Sequence, residues 1–160
     1  MKKNIQTVAV PMEVLSELIV EQLQQGGRAK LNVTGISMMP MLYNRRDAVL
    51  LIPVSHRQKR GDVILYRREN GRYVLHRIIA VTSNGYICSG DNQAMREPVA
   101  HQQLIAVVDG FIRNGKNYTL DHPGYRFYQA VWVGLFPLRP AYIALRRWLG
   151  KIRRRILYGG

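Results

Sequence analysis

Arg60-Gly61-Asp62-Val63-Ile64-Leu65-Tyr66-Arg67-Arg68-Glu69-Asn70-Gly71-Arg72-Tyr73-Val74-Leu75-His76-Arg77-Ile78 contains two strand-like runs separated by a turn. Val, Ile and Tyr crowd into Asp62–Arg67 and Tyr73–Thr82, and Glu69-Asn70-Gly71-Arg72 between them carries hairpin chemistry, because Asn-Gly readily supplies positive φ. The same pattern repeats outward. Leu31–Val33, Ala48–Val54, Tyr86–Ser89, Leu104–Arg113 and Tyr118–Leu120 are short β-rich runs bounded by Gly, Asn and Asp, and Ser83-Asn84-Gly85 is a second close turn. Strands joined by such turns predict a small antiparallel sheet or barrel rather than a βαβ array.

Flanking segments have another period. Val14, Leu15, Leu18, Ile19 and Leu23 recur at helical spacing after Pro11, with Glu13 and Glu17 favouring the N-terminal end and Gly26-Gly27 ending the run. From about Tyr125 the chain is aromatic and basic, with no Asp or Glu after Asp121. Leu145, Trp148, Leu149, Ile152 and Ile156 fall on one helical face, while Arg146, Arg147, Lys151 and Arg154 lie largely on the other. Two readings stand for this helix: an anchor on an anionic membrane surface through 142–157, or a terminal helix packing its apolar stripe on the β body. The expected class is therefore mainly β (α+β), with an N-terminal helical segment at 1–28, a β domain at 29–120 and a basic amphipathic helical tail at 121–160.

Composition bounds the function. The 160 residues are 47% hydrophobic and 21% charged, a globular composition large enough for one core. The formal charge of +14 implies attraction to something anionic: lipid headgroups, nucleic acid or an acidic partner. The single Cys88 cannot form an internal disulfide and reads as packing. Met1-Lys2-Lys3 is not followed by an uninterrupted apolar stretch, and no window reaches the length of a plain transmembrane helix. A cytoplasmic or peripherally membrane-associated protein is expected.

Two residues have the types needed for nucleophilic chemistry. Ser37 sits in Gly35-Ile36-Ser37-Met38-Met39-Pro40, where Gly35 allows close backbone approach and Pro40 stiffens the exit. The plain alternative is a serine that only satisfies turn backbone. His76 sits inside a strand, sharing one face with Val74 and Ile78, while Tyr73, Leu75, Arg77 and Ile79 share the other. A strand gives an imidazole the rigidity of a general base, although a half-buried structural histidine would look the same. His56, His101 and His122 lie in loop-like contexts. No His or Cys pair has metal-ligand spacing, so neither metal nor cofactor is expected.

These motifs, in this order, resemble the signal peptidase family, in its Ser–His branch (endoplasmic-reticulum, archaeal and some Gram-positive enzymes). The family's Gly/Ser-x-Ser-Met-x-Pro motif matches Gly35 to Pro40, its Arg/Lys-Gly-Asp-Val strand matches Arg60 to Val63, and its Gly-Asp-Asn turn matches Gly90-Asp91-Asn92. His76-Arg77 stands where the bacterial housekeeping branch has a lysine base followed by arginine. The resemblance covers about residues 30 to 115. It implies Ser37 as nucleophile, His76 as base, and Glu97 or Asp91 as the acid supporting the imidazole. Gly35 and Met38 would lie at the substrate or oxyanion position. Pro40, Asp62 and Gly90 would be structural turn residues.

The chain departs from the family in four places. An amphipathic segment replaces the usual N-terminal transmembrane anchor. The usual Gly-Asp after the nucleophile turn is Arg46-Asp47. Glu97 is longer than the aspartate expected there, and Gly35 has no hydroxyl to offer an oxyanion, leaving backbone N–H groups such as that of Ser37. The implied activity is that of a serine endopeptidase cleaving a leader or signal-type peptide, with small side chains preferred beside the cut. Three other readings remain: an inactive relative that binds such peptides, a LexA-type self-cleaving protease, and a basic nucleic-acid-binding module. The last is disfavoured because the basic residues crowd into one helix instead of interleaving with aromatics across a sheet.

Overall fold

The computed structural model describes residues 19–23 and 25–158, with the side chains of 147 and 154–158 outside the description. Eight strands form one antiparallel sheet: β1 (Ala29–Asn32), β2 (Ala48–Pro53), β3 (Val63–Arg67), β4 (Tyr73–Val81), β5 (Gly85–Ser89), β6 (Glu97–Ala100), β7 (Leu104–Arg113) and β8 (Lys116–Thr119). The hydrogen-bonded order is β1-β2-β7-β3-β4-β5-β6, with β8 paired to β7. Helix α1 (Pro123–Gly134), a 3-10 turn (Phe136–Leu138) and helix α2 (Arg139–Tyr158) follow. The class is α+β, as the alternation of β runs and close turns predicts.

The turns show why the strands end where they do. The β3–β4 hairpin closes through Gly71 at φ +81 and the Arg68 N–H to Arg72 carbonyl bond. The β7–β8 hairpin turns at Asn114 and Gly115, both at positive φ, the requirement of a two-residue primed turn. Gly85 corrects the expectation that Asn84-Gly85 supplies positive φ. It already belongs to β5, and a Cβ there would stand 2.1 Å from the Val99 carbonyl oxygen, so its role is to let β6 approach. β6 itself is a strand the sequence hid, since it carries Pro98 and proline demotes a run to an edge. It is indeed the last strand of the sheet.

Of the expected N-terminal helix, residues 19–23 are helical and the part before them lies outside the described residues. Ile19 and Leu23 are buried, and the turn that follows is closed by Gly26 at φ +75. The sheet buries both faces. Val63 and Leu65 join Leu31, Val49, Leu51 and Val108 on one side, whereas Ile64 and Tyr66 join Ile78, Tyr86, Cys88 and Val99 on the other. β3 therefore reads as a continuous apolar run instead of an alternating one. Cys88 is fully buried and free.

Helix α1 packs on this body. Tyr125, Val133 and, after it, Phe136 are buried, so the chain stays with the β body as far as Arg139. Among the described residues no helix is long and apolar enough to cross a membrane.

Candidate active site

Strand register decides which side chains meet. His76 pairs with Ile64 across β3–β4, and Tyr66 pairs with Val74, so Tyr66 is a diagonal neighbour of His76 on one face. Ile78 pairs with Cys88, and Cys88 with Glu97, which brings Glu97 to the same face. Arg77 pairs with Val63 and projects to the opposite face. Alternation along β4 thus sends His76 and Arg77 to different acids.

His76 Nδ1 lies 3.1 Å from the Tyr66 hydroxyl and 3.8 Å from Glu97 Oε2. Arg68 holds Glu97 with two hydrogen bonds, Nε to Oε1 at 2.5 Å and a terminal nitrogen to Oε2 at 2.6 Å. Burial opposes ionisation of Glu97, but hydrogen bonds from Arg68 and Tyr66 hold it below the usual carboxylate range. Burial pushes Tyr66 far up, and the nearby Glu97 carboxylate adds to this, so the phenol keeps its proton. A phenol with one proton gives it to the charged carboxylate in preference to a neutral ring. With the phenol proton directed at Glu97, the Tyr66 oxygen is placed to accept from an Nδ1–H tautomer of His76. That tautomer leaves a lone pair on Nε2, which has no hydrogen bond and is not buried from solvent among the described residues.

His76 is only 3% exposed. Burial pushes its pKa down to about 4, with the Glu97 carboxylate raising it and the Arg68 cation lowering it again. Arg68 therefore neutralises much of the help that Glu97 would otherwise give the imidazolium.

Ser37 and His76 line one cleft of about 240 Å³, together with Leu31, Val33, Leu75 and Gln93. Two free strand edges frame it. Among the described residues β1 pairs only with β2, and β4 meets β5 from Arg77 onward, which leaves Tyr73–His76 without a strand partner on that side. The turn bearing Ser37 is pinned at both ends. The Gly35 N–H donates to Asn44 Oδ1, and the Ser37 carbonyl accepts the Asn92 N–H at 2.7 Å. Gly35 holds φ +83, a left-handed conformation that suits glycine. The N–H groups of Ser37 and Met38 have no hydrogen-bond acceptor among the described residues. Ser37 and His76 make no hydrogen bond to each other here; nucleophile–base contacts are often longer before substrate is bound.

The remaining expected site residues have structural partners. Asp91 is not at the His76 ring. Its carboxylate is gripped by Arg77 through Nε and a terminal nitrogen, both at 2.8 Å, and also accepts from the Tyr128 hydroxyl at 3.0 Å. Asp91 and Arg77 are both fully buried, which separates Asp91 from the role of supporting acid. Burial works against the Arg77 charge, yet Asp91 raises its pKa. Asp62 accepts the Lys59 N–H at 2.9 Å and acts as a turn residue. The Met38 side chain is buried in the core, so only its backbone faces the turn. Pro40 follows in the same turn, its carbonyl accepting from Arg113 at 3.5 Å. Asp47, next to Arg46, is buried and accepts from the Tyr43 and Asn114 N–H groups. It staples the segment after the Ser37 turn to the β7–β8 hairpin.

Gly90 is required for contact. A Cβ there would stand 2.6 Å from the Ser37 carbonyl oxygen and 3.0 Å from both Ser37 Cβ and Gln93 Oε1. Gln93 Oε1 therefore lies within 6 Å of Ser37 Cβ, and it is buried without a hydrogen-bond partner. Tyr66, Arg68 and Gln93 are the members of the site that the sequence reading missed. Tyr66 and Arg68 could have been found by extending the β3–β4 hairpin register from His76; Gln93 carries no sequence signal.

A larger cavity lies elsewhere. About 660 Å³ opens between α1 and the β7–β8 hairpin, lined by Met41, Phe111, Arg113, Tyr118, His122 and Tyr125 among others. It contains neither Ser37 nor His76, so its size does not make it the site of this chemistry. Among the described residues no cluster of His, Cys, Asp and Glu could hold a metal ion. No protein-family model matches the chain, and no curated protein matches its sequence.

Proposed function

We propose that the protein is a serine endopeptidase of the signal peptidase type, hydrolysing a peptide bond with a Ser37–His76 pair. The observation that carries this reading is that a half-buried serine and a buried imidazole held through Nδ1 line one narrow cleft between two free strand edges. An extended peptide entering the cleft adds as a strand, hydrogen-bonding to β1 and to the Tyr73–His76 edge, and so is held largely through its main chain. The cleft is smaller than a usual small-molecule pocket and accommodates small side chains next to the cut.

His76 Nε2 takes the proton of the Ser37 hydroxyl as its oxygen attacks the scissile carbonyl. The free N–H groups of Ser37 and Met38 are the available donors for the oxyanion. The imidazolium so formed is stabilised through Nδ1–H by Tyr66 and Glu97, and it returns the proton to the leaving amine. A base with a pKa near 4 is weak, because burial penalises its charged form. The Tyr66–Glu97 link counters this, since its attraction grows as the ring becomes charged.

Digestion of a proteome-derived peptide library tests activity and specificity together. Cuts are expected after small residues such as alanine in extended segments. An intact library after prolonged incubation with folded protein would contradict the reading.

The pH profile tests the base. His76 is active when unprotonated, so kcat/KM rises with pH through the imidazole pKa. Burial moves that limb from the ordinary ~6.5 to about 4, and a plateau is expected from pH ~6 upward. Arg68→Gln removes a cation that opposes protonation and frees Glu97, so it shifts the limb to higher pH. A wild-type limb centred near ~6.5, unmoved by Arg68→Gln, would contradict the arrangement.

A further inference from the structure

α2 leaves the body after Tyr142, whose ring still meets Trp132 edge-on at 6.1 Å between centroids, and from Leu145 onward its apolar side is bare. From Tyr142 to Arg153 every described side chain is exposed or half-buried. Leu138, just before the helix, is 63% exposed, and Tyr142, Leu145, Trp148 and Leu149 are 47%, 53%, 57% and 51% exposed. The four helical residues are spaced three or four apart, or adjacent on the same arc, and so form one stripe. The sequence of α2 contains Arg or Lys at 139, 146, 147, 151, 153, 154 and 155, and no Asp or Glu. Arg146, Lys151 and Arg153 are exposed.

Arg139 is the exception and sets where α2 departs. It is buried, donating to the carbonyls of Gly90 at 3.0 Å and Trp132 at 2.9 Å, and its guanidinium sits 4.7 Å from the Phe136 ring centroid. The first turn of α2 is thereby fastened to the Gly90 turn that abuts Ser37.

An occupant of this face must accept both an apolar stripe and unopposed positive charge. A second copy of the chain would cover the stripe but bring like charges together. A nucleic acid would neutralise the charge but leave Leu145 and Leu149 in water. An anionic bilayer surface satisfies both, taking the stripe below the headgroups and the cations among them. We propose that α2 lies in the plane of an anionic lipid surface, with Leu145, Trp148 and Leu149 inserted, and that this holds the Ser37 cleft close to the bilayer. No described helix can span the membrane, so α2 rests on it. The proposal stands apart from the peptidase reading, because its test measures binding alone.

The full chain is sedimented with phosphatidylglycerol–phosphatidylcholine vesicles, with pure phosphatidylcholine vesicles, and incubated with duplex DNA. Binding to the anionic vesicles is expected, weaker by about a hundredfold or more on neutral ones, because each Lys or Arg near an anionic surface contributes roughly fivefold. The triple variant Arg146→Gln/Lys151→Gln/Arg153→Gln is expected to lose about a hundredfold in affinity for anionic vesicles. Leu145→Asp/Leu149→Asp is expected to lose at least about tenfold, and as both leucines are exposed its unfolding midpoint should match wild type. Three results would overturn the proposal: equal binding to neutral and anionic vesicles, unchanged binding by the leucine variant, or tighter binding to DNA than to anionic vesicles.

Discussion

Ser37→Ala and His76→Ala are each expected to lower kcat/KM by about 10³-fold or more, the scale on which members of a nucleophile–base pair act. The double variant should lose little beyond either single one, because each alone disables the same step. Ser37 is half-buried at a turn and deletes only a hydroxyl, so stability should be close to wild type for Ser37→Ala. Glu97→Gln and Tyr66→Phe should lower activity less, since they act through His76 Nδ1 and not on the substrate. Wild-type activity in Ser37→Ala, measured on a peptide taken from the library cuts, would remove the serine from the mechanism.

The largest stability effect is expected at the Arg77–Asp91 pair. Asp91→Ala leaves a fully buried guanidinium with the Gly61 carbonyl and Tyr125 hydroxyl as oxygen partners and no counter-charge. Breaking a buried pair by removing one partner costs about 3–5 kcal/mol, a substantial part of the total stability of a domain of this size. For a chain of this length that corresponds to a Tm lowered by roughly 10 °C. Arg77→Met/Asp91→Leu should recover part of the loss, because apolar replacement of both partners removes the stranded charge. Thermal unfolding followed by circular dichroism measures both, and an Asp91→Ala variant as stable as wild type would contradict the pair's role.

The two acids are thereby sorted by different assays. Asp91 clamps α1 to the sheet, with the Tyr128 hydroxyl on its carboxylate and the Trp132 indole N–H on its carbonyl. Its loss should appear in unfolding, whereas the loss of Glu97 should appear in turnover.

How much of this was legible in the sequence follows from the range of each interaction. β7, Leu104–Arg113, reads correctly at both ends because an apolar run meets a 3-10 turn on one side and Asn114-Gly115 on the other. Those are local signals. β6 was hidden because its Glu97, Pro98 and exposed neighbours look like loop, and only pairing with β5 makes it a strand. The separation of His76 and Arg77 was readable from strand alternation alone. Which acid met which was not, since it depends on the β5–β6 register and on a turn at Gly90. The amphipathic character of α2 was plain from its spacing, but that its stripe finds no place on the body beyond Tyr142 depends on the tertiary path after Arg139. Tyr66 was read as an ordinary β residue; it is the register of the hairpin that sets its hydroxyl against His76.

Labelling with a fluorophosphonate probe, mapped by mass spectrometry of the digested protein, tests the central claim most directly. The probe reacts only with a serine whose proton is taken by a neighbouring base and whose oxyanion is stabilised. Modification is expected at Ser37 in the wild-type chain, absent in Ser37→Ala and strongly slowed in His76→Ala. An unlabelled Ser37, or labelling at the same rate with and without His76, would contradict the account.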